Sequence, residues 1–293
     1  MKIIEALTSV ICPIIAVNMA SGLTIVQTTS SAVLSTSLGG GGGLSITSAN
    51  VINGADSQFG SYSGFASFPV TIGDGIVMST GQALQVTPMS NNGLQAAYTT
   101  PSTNTGVGGT TEFNAYGPGH ITNFSNSNDV AALQVCFTLA AASQIGFQFI
   151  FGSVEFPEYT SNFTDAFVAF LDGTSTIDQI VFDSSNNAVQ VGNTFASALT
   201  TDDTNTAFAD PHGLLALTTF TATNLSAGAH TLIFELADVN DHILDSGIFI
   251  SNLHAGSGNP GTNPSVPDSG TTVSLLALTM LVLAGLNRKL KSA

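Results

Sequence analysis

Ile145-Gly146-Phe147-Gln148-Phe149-Ile150-Phe151 is the stretch that decides the fold. Side chains of an extended chain point alternately to opposite faces, so Ile145, Phe147, Phe149 and Phe151 fall on one face. Just upstream, Leu133, Val135, Phe137 and Leu139 alternate in the same way and leave Cys136 on the opposite face. Ala166 to Leu171 is nearly continuous apolar and reads as a central strand buried on both sides. Thr231 to Val239 and Gly247 to Leu253 read as a late pair of strands joined by a loop. Nearer the front, Thr24 to Ser37 is rich in Thr, Ser and Val with weak alternation. Gly39 to Gly43 read as a turn rather than a phosphate cradle, since no helix bearing a lysine follows.

Gly, Ser, Thr and Asn dominate the composition, phenylalanine numbers 19, and helix formers other than alanine are scarce. The repeated amphipathic helices that a parallel α/β sheet requires are missing. The expected fold is all-β: a jelly-roll-like β-sandwich with phenylalanines interdigitating between its two sheets. Residues 23–254 are long enough for one sizeable core and read as one domain.

Of 293 residues only four are basic: Lys2 at the front, and Arg288, Lys289 and Lys291 at the back. Residues 23 to 265 hold thirteen aspartates, four glutamates and no lysine or arginine, a net charge of −17 with histidine neutral. Such a surface repels phosphate backbones, which excludes nucleic acid as a partner, and anionic lipid headgroups suit it equally badly. The acids lack ordinary ion-pair partners. That leaves hydrogen bonds, raised pKa values or bound cations.

Both basic ends abut apolar runs and read as topology signals. Lys2 precedes a mostly apolar stretch from Ile3 to Ala20, followed by small residues. Residues 1–22 therefore read as a cleavable signal helix, cut by signal peptidase after delivery to the secretion machinery. Cys12 follows the bulky Ile11 and does not fit a lipoprotein signal. After cleavage one cysteine remains, Cys136, so no internal disulfide can form. At the back, residues 255–265 read as a flexible linker of Gly, Ser, Asn and Pro. Val266-Pro267-Asp268-Ser269-Gly270 follows, then an apolar stretch from Val273 to Leu286. As a helix that stretch spans about 21 Å. Thr271, Thr272 and the snorkelling basic side chains extend it toward the roughly 30 Å of a bilayer core. Residues 266–293 thus read as a motif, a transmembrane helix and a basic tail. The tail stays in the cytoplasm while the acidic body lies outside.

The order of motif, short apolar helix and basic cluster closely resembles the carboxy-terminal sorting signals of the PEP-CTERM class, in the variant with a Val-Pro-Asp-Ser-Gly motif. This resemblance implies an exosortase-type membrane transpeptidase as partner, which removes or replaces the tail, and a Gram-negative type of bacterium. Three segments of the body resemble the choice-of-anchor L domain, a domain attached to various bacterial surface-anchoring signals. The first is Asn50-Val51-Ile52-Asn53-Gly54 with Gly73-Asp74-Gly75-Ile76-Val77-Met78-Ser79-Thr80-Gly81. The second runs from Phe149 through Glu155-Phe156-Pro157-Glu158-Tyr159 to Asp165-Ala166-Phe167. The third is Leu236-Ala237-Asp238-Val239-Asn240-Asp241-His242-Ile243-Leu244-Asp245-Ser246-Gly247-Ile248-Phe249. Val154 and Thr164 depart from the family's usual acid and asparagine, and Asp210-Pro211-His212-Gly213 replaces its Tyr-Asp-Gly. The resemblance implies a fold and a surface location, and no defined activity.

Asp238, Asn240, Asp241 and Asp245 lie in one segment beside a strand end, and Glu155, Glu158 and Asp165 form a second oxygen-rich region. Calcium takes roughly six to eight oxygen ligands, so these seven residues can share one or two Ca2+ if both regions meet at one end of the sandwich. The plainer alternative is aspartates capping turns on a solvated acidic surface. The late segment is no EF-hand, because His242 holds the fifth place and no glycine the sixth. Glu155 and Glu158 give no assured glycosidase separation, and Ser79-Thr80-Gly81 lacks nucleophile-elbow spacing. His120, His212, His230, His242 and His254 are scattered rather than set at zinc-ligand spacing. No catalytic residue is assigned.

The sequence points to an exported structural or adhesive protein, transiently membrane-anchored and then at the cell surface or in the extracellular matrix. It would be the substrate of the sorting enzyme and not itself an enzyme. The alternative is a calcium-dependent module binding extracellular polysaccharide or surface proteins, with a polysaccharide-acting hydrolase a distant third. Exposed Tyr62, Tyr98, Tyr116 or Tyr159 would favour the binding module.

Overall fold

A computed structural model describes residues 23–67, 70–87, 100–161, 163–183, 185–192, 206–208, 212–215 and 217–256. The expected signal helix, the linker from residue 257 onward, the sorting motif, the apolar stretch and the basic tail lie outside them, as do Tyr98 and Asp210. Among the described residues no helix is long and apolar enough to cross a membrane.

The alternating stretches form strands because each has one face to bury. They assemble into two sheets. The larger contains β1 (Thr24–Gln27), β3 (Phe59–Ser63), β6 (Gly75–Ser79), β14 (Ser246–Ala255) and β8 (Ser143–Ser153) in that order, and β11 (Gly213–Leu214) and β12 (Thr218–Leu225) share the far edge of β8. The smaller runs β10 (Val189–Gln190), β9 (Ala166–Leu171), β13 (Gly228–Val239), β7 (Ser127–Leu139) and β2 (Leu44–Asn53). A short ribbon, β4 (Ala66–Ser67) with β5 (Val70–Thr71), stands apart. The two-sheet all-β sandwich matches the expected class. Among the described residues its sheets hold seven and five strands, more than the roughly eight of a jelly roll.

The sheets face each other through the phenylalanines singled out above. Phe147 of β8 meets Phe234 of β13 edge-on with ring centroids 5.1 Å apart, and Phe149 meets Phe167 of β9 at 5.4 Å. Ile145, Phe147, Phe149 and Phe151 share this core with Leu133, Val135, Phe137 and Leu139. Each large side chain so buried contributes about 2 kcal/mol. Strand β9 is buried on both sides, as its apolar run implied. Phe167 and Ala169 face the other sheet, and Ala166, Val168 and Phe170 face α2 (Thr111–Tyr116) through its buried Phe113 and Tyr116. It is not central: among the described residues only the two-residue β10 lies beyond it.

Two readings change. Within the Thr/Ser/Val-rich opening, only Thr24–Gln27 is a strand, and Ser31–Leu38 forms helix α1. Leu34 and Leu38, one turn apart, are both buried, and that tertiary anchor outweighs weak helix propensity. Strands β13 and β14 are joined by a loop but belong to different sheets, so the loop crosses from one layer to the other.

Candidate functional site

Strand directions bring all three motif segments to one end of the sandwich. Ser246 of β14 pairs with Ser153 of β8, and Gly247 pairs with Ser79 of β6, so the ends of β6 and β8 meet the start of β14. Across the core, Ala237 pairs with Ala166, which sets the end of β13 beside the start of β9. The β13–β7 ladder shifts between Leu236 and Asp238, where β7 carries one extra residue. Such a bulge re-aims side chains. The extra residue is Asp129, held at φ 46°, a left-handed conformation uncommon outside glycine.

Besides Asp129, four carboxyl groups converge at this end with no exposed surface: Glu155, Asp165, Asp238 and Asp245. Asp165 is the best satisfied. Its Oδ2 accepts from the Ser246 hydroxyl at 2.6 Å, and its Oδ1 accepts from the Val239 N–H at 3.2 Å. The Asp165 N–H donates to Glu155 Oε2 at 3.4 Å. Asp245 Oδ1 accepts from the Thr103 N–H at 2.7 Å. Four oxygens are left over: Glu155 Oε1, both oxygens of Asp238, and Asp245 Oδ2. The Thr80 hydroxyl and the Asp165 carboxyl both act on Asp238, yet neither of its oxygens meets a donor with hydrogen-bond geometry.

Burial makes the charged forms costly, and mutual repulsion adds to it. Burial first, then the charge of Asp165, raises Glu155 far above the carboxylate range. Burial raises Asp165 despite its donors, and burial together with Asp165 raises Asp238. Asp245 is pushed by burial to about 6, its Thr103 hydrogen bond opposing the rise.

Gly81 is what admits Asp245: a Cβ there would overlap the Asp245 carboxylate. Thr80 closes the junction, its N–H donating to the Ser246 carbonyl at 3.0 Å and its Oγ1 accepting from the Ser246 N–H at 2.9 Å. The fully buried Gln58 amide donates to the carbonyls of Ser79, Thr80 and Asp129 and so ties the two layers. Asp129 was not anticipated from the sequence. Its Oδ1 accepts from the Thr105 N–H and hydroxyl and from the Val107 N–H, and its Oδ2 from His242 Nδ1 at 2.8 Å.

The remaining anticipated oxygen donors lie outside this knot. Asp241 is half-buried, its Oδ1 accepting from the Ile243 N–H at 3.4 Å, and its charge reaches Glu155 and Asp165. Glu158 is exposed. Asn240 turns away: its Oδ1 accepts from Ser125 and its Nδ2 donates to the Asn123 carbonyl. Asp241 and Glu158 line a cleft of about 540 Å³ together with Phe156, Tyr159, Phe163 and His212. Tyr159 is 37% exposed there, whereas Tyr62 and Tyr116 are buried in the body. The cleft thus has an apolar wall, an acidic rim and the buried carboxyls behind it. Among the described residues no group of three or more His, Cys, Asp or Glu side chains is placed to hold a metal ion as it stands.

The model of the family described as "Choice-of-anchor L domain" matches residues 24–257, and that of the VPDSG-CTERM motif matches residues 265–290. No curated protein matches. Among solved structures, one described as an X-ray crystal structure of a non-crystalline cellulose-specific carbohydrate-binding module, CBM28, is similar at 10% identity and a TM-score of 0.26. That match covers 44% of this chain and 66% of the other, just under two thirds of its length.

Proposed function

The chain belongs to the choice-of-anchor L domain family, and from that premise we propose that it is a structural and adhesive protein of the bacterial surface or extracellular matrix. Domain and sorting signal together mark an exported, cell-surface protein, and the VPDSG-CTERM signal implies processing by an exosortase-type enzyme. The observation that carries the proposal is their order. A self-contained sandwich ends at Ala255, and the sorting signal begins ten residues later at 265. The tail holds the body at the outer face of the membrane until the sorting enzyme acts at Val266-Pro267-Asp268-Ser269-Gly270, and Arg288, Lys289 and Lys291 keep the tail's end in the cytoplasm. The cleft beside Tyr159 supplies the contact surface. Its aromatic wall and acidic rim suit neutral or cationic groups and repel anions.

Cell fractionation with carboxy-terminal mass measurement tests this. The mature protein is expected outside the inner membrane and without residues 288–291, and those residues are expected to persist when the sorting enzyme is deleted. A mature surface form that keeps Arg288 to Lys291 in otherwise normal cells rejects the processing step.

A further inference from the structure

We infer that Glu155, Asp165, Asp238 and Asp245 bind calcium between the ends of the two sheets, the ion arriving through the cleft past Asp241. The inference is independent of how the chain is anchored.

Charge balance comes first. Four carboxyls with no exposed surface sit in a body that owns no lysine or arginine. Isolated buried carboxylates are too costly to persist, so protons or a cation must neutralise them. His242, in the loop that carries Asp241 and Asp245, is committed to Asp129.

Unused lone pairs decide between those two. Glu155 Oε1, Asp238 Oδ1, Asp238 Oδ2 and Asp245 Oδ2 are buried and partnerless. Protons shared along Glu155, Asp165 and Asp238 would bridge those groups to one another. Glu155 Oε2 and both oxygens of Asp165 already have donors, but one oxygen of Asp238 would still lack one, and Asp245 Oδ2 takes no part in that chain. One hard cation engages oxygens from all four residues at once.

Oxygen ligands without a nitrogen or sulfur donor select a hard ion. Calcium accepts irregular sets of roughly six to eight oxygens, whereas magnesium demands near-octahedral geometry and keeps several waters, which side chains with no exposed surface disfavour. Among the described residues no three His, Cys, Asp or Glu side chains are placed to hold an ion as they stand, so binding would have to draw these carboxylates together. Asp241 is placed for delivery, lining the cleft while its charge reaches Glu155 and Asp165.

The test uses the full-length chain in detergent, stripped with a chelator and titrated with calcium chloride, with magnesium chloride at matched ionic strength as control. A saturable rise in melting temperature is expected, with calcium at least tenfold more effective than magnesium. In infrared spectra, the C=O band of protonated carboxyls in the stripped protein should fall as calcium displaces the protons. Asp238→Asn and Glu155→Gln, each checked for a native circular dichroism spectrum, should weaken the response at least tenfold. Asp172→Asn, at the opposite end of β9, should leave it unchanged. A response that is absent, equalled by magnesium, or intact in either folded variant overturns the site. If neither variant folds, the wild-type spectra decide: a protonated-carboxyl band that loses no intensity through saturating calcium overturns it, and a partial loss that leaves the Glu235 carboxyl supports it.

Discussion

Strands β9 and β13 run side by side and antiparallel, and their two ends handle negative charge in different ways. Where β9 finishes, Asp172 Oδ2 accepts from His230 Nδ1 at 2.7 Å and Asp172 Oδ1 accepts from the Thr231 N–H at 2.9 Å. Where β9 begins, Asp165 meets Asp238 and a knot of further acids. Both ends belong to the same two strands and draw on the same body, residues 23–265, without lysine or arginine. They differ in one histidine and in exposure, the Asp172 side chain being 41% exposed and Asp165 and Asp238 fully buried. An acid left partly in water needs only a weak partner. A buried group of acids exceeds what this chain can neutralise from within.

The sharpest way to break this contrast is Gly81→Ala. Its Cβ would force the Asp245 carboxylate aside, and overpacking at so confined a place should cost about 3 kcal/mol or more. A urea melt reads this directly, and an unchanged midpoint would show that the acid knot is loosely held.

Glu235 lies midway along β13 and has no exposed surface, so it asks whether burial alone sets the pattern. Burial raises its pKa to about 8; the Thr110 hydroxyl opposes the rise and Glu112 adds to it. The folded form therefore holds a proton that the unfolded chain releases near pH 4.5. Stability from this residue is complete below about pH 4.5 and declines as pH rises to about 8. Glu235→Gln should flatten that decline and gain a few kcal/mol relative to wild type as pH rises from about 4.5 to about 8. Parallel pH profiles for both proteins would contradict it.

The smallest effect belongs to the opposite end. Burial alone would lower His230, but its hydrogen bonds to Asp172 and to the Ser226 carbonyl, with the Asp172 charge, raise it on balance. Its contribution is present below about pH 6.5 and fades as pH passes the raised value. His230→Gln should thus cost about 1 kcal/mol at pH 6 and less at pH 9, seen by denaturant melts at both. An equal cost at both would mean that packing against Phe137, rather than the ion pair, holds His230.

Much of the sandwich was legible because period two is written into Phe147, Phe149 and Phe151 and into Leu133, Val135 and Phe137. Those residues report one face each, whatever they pair with. Helix α1 was not legible, since its support comes from Leu34 and Leu38 reaching a core that distant strands supply. Within the site, the acids of the two motif segments stood out by their density. Asp129 did not, because its role depends on a bulge that exists only once β7 lies against β13. Thr103 is likewise 142 residues from Asp245 in sequence, a contact that no local pattern encodes. Asn240 shows the converse: its place among the acids suggested a shared role, but a φ of 78° turns it toward Ser125.

The position of β14 also has a mechanical consequence. It is hydrogen-bonded on both sides, to β6 and to β8, begins at the acid knot and ends at the opposite pole, where the chain leaves toward its tail. Tension between a partner gripped at the cleft and an anchor beyond Gly256 would run along this strand. The two ladders would then be loaded in shear, many rungs at a time, instead of being peeled one rung after another.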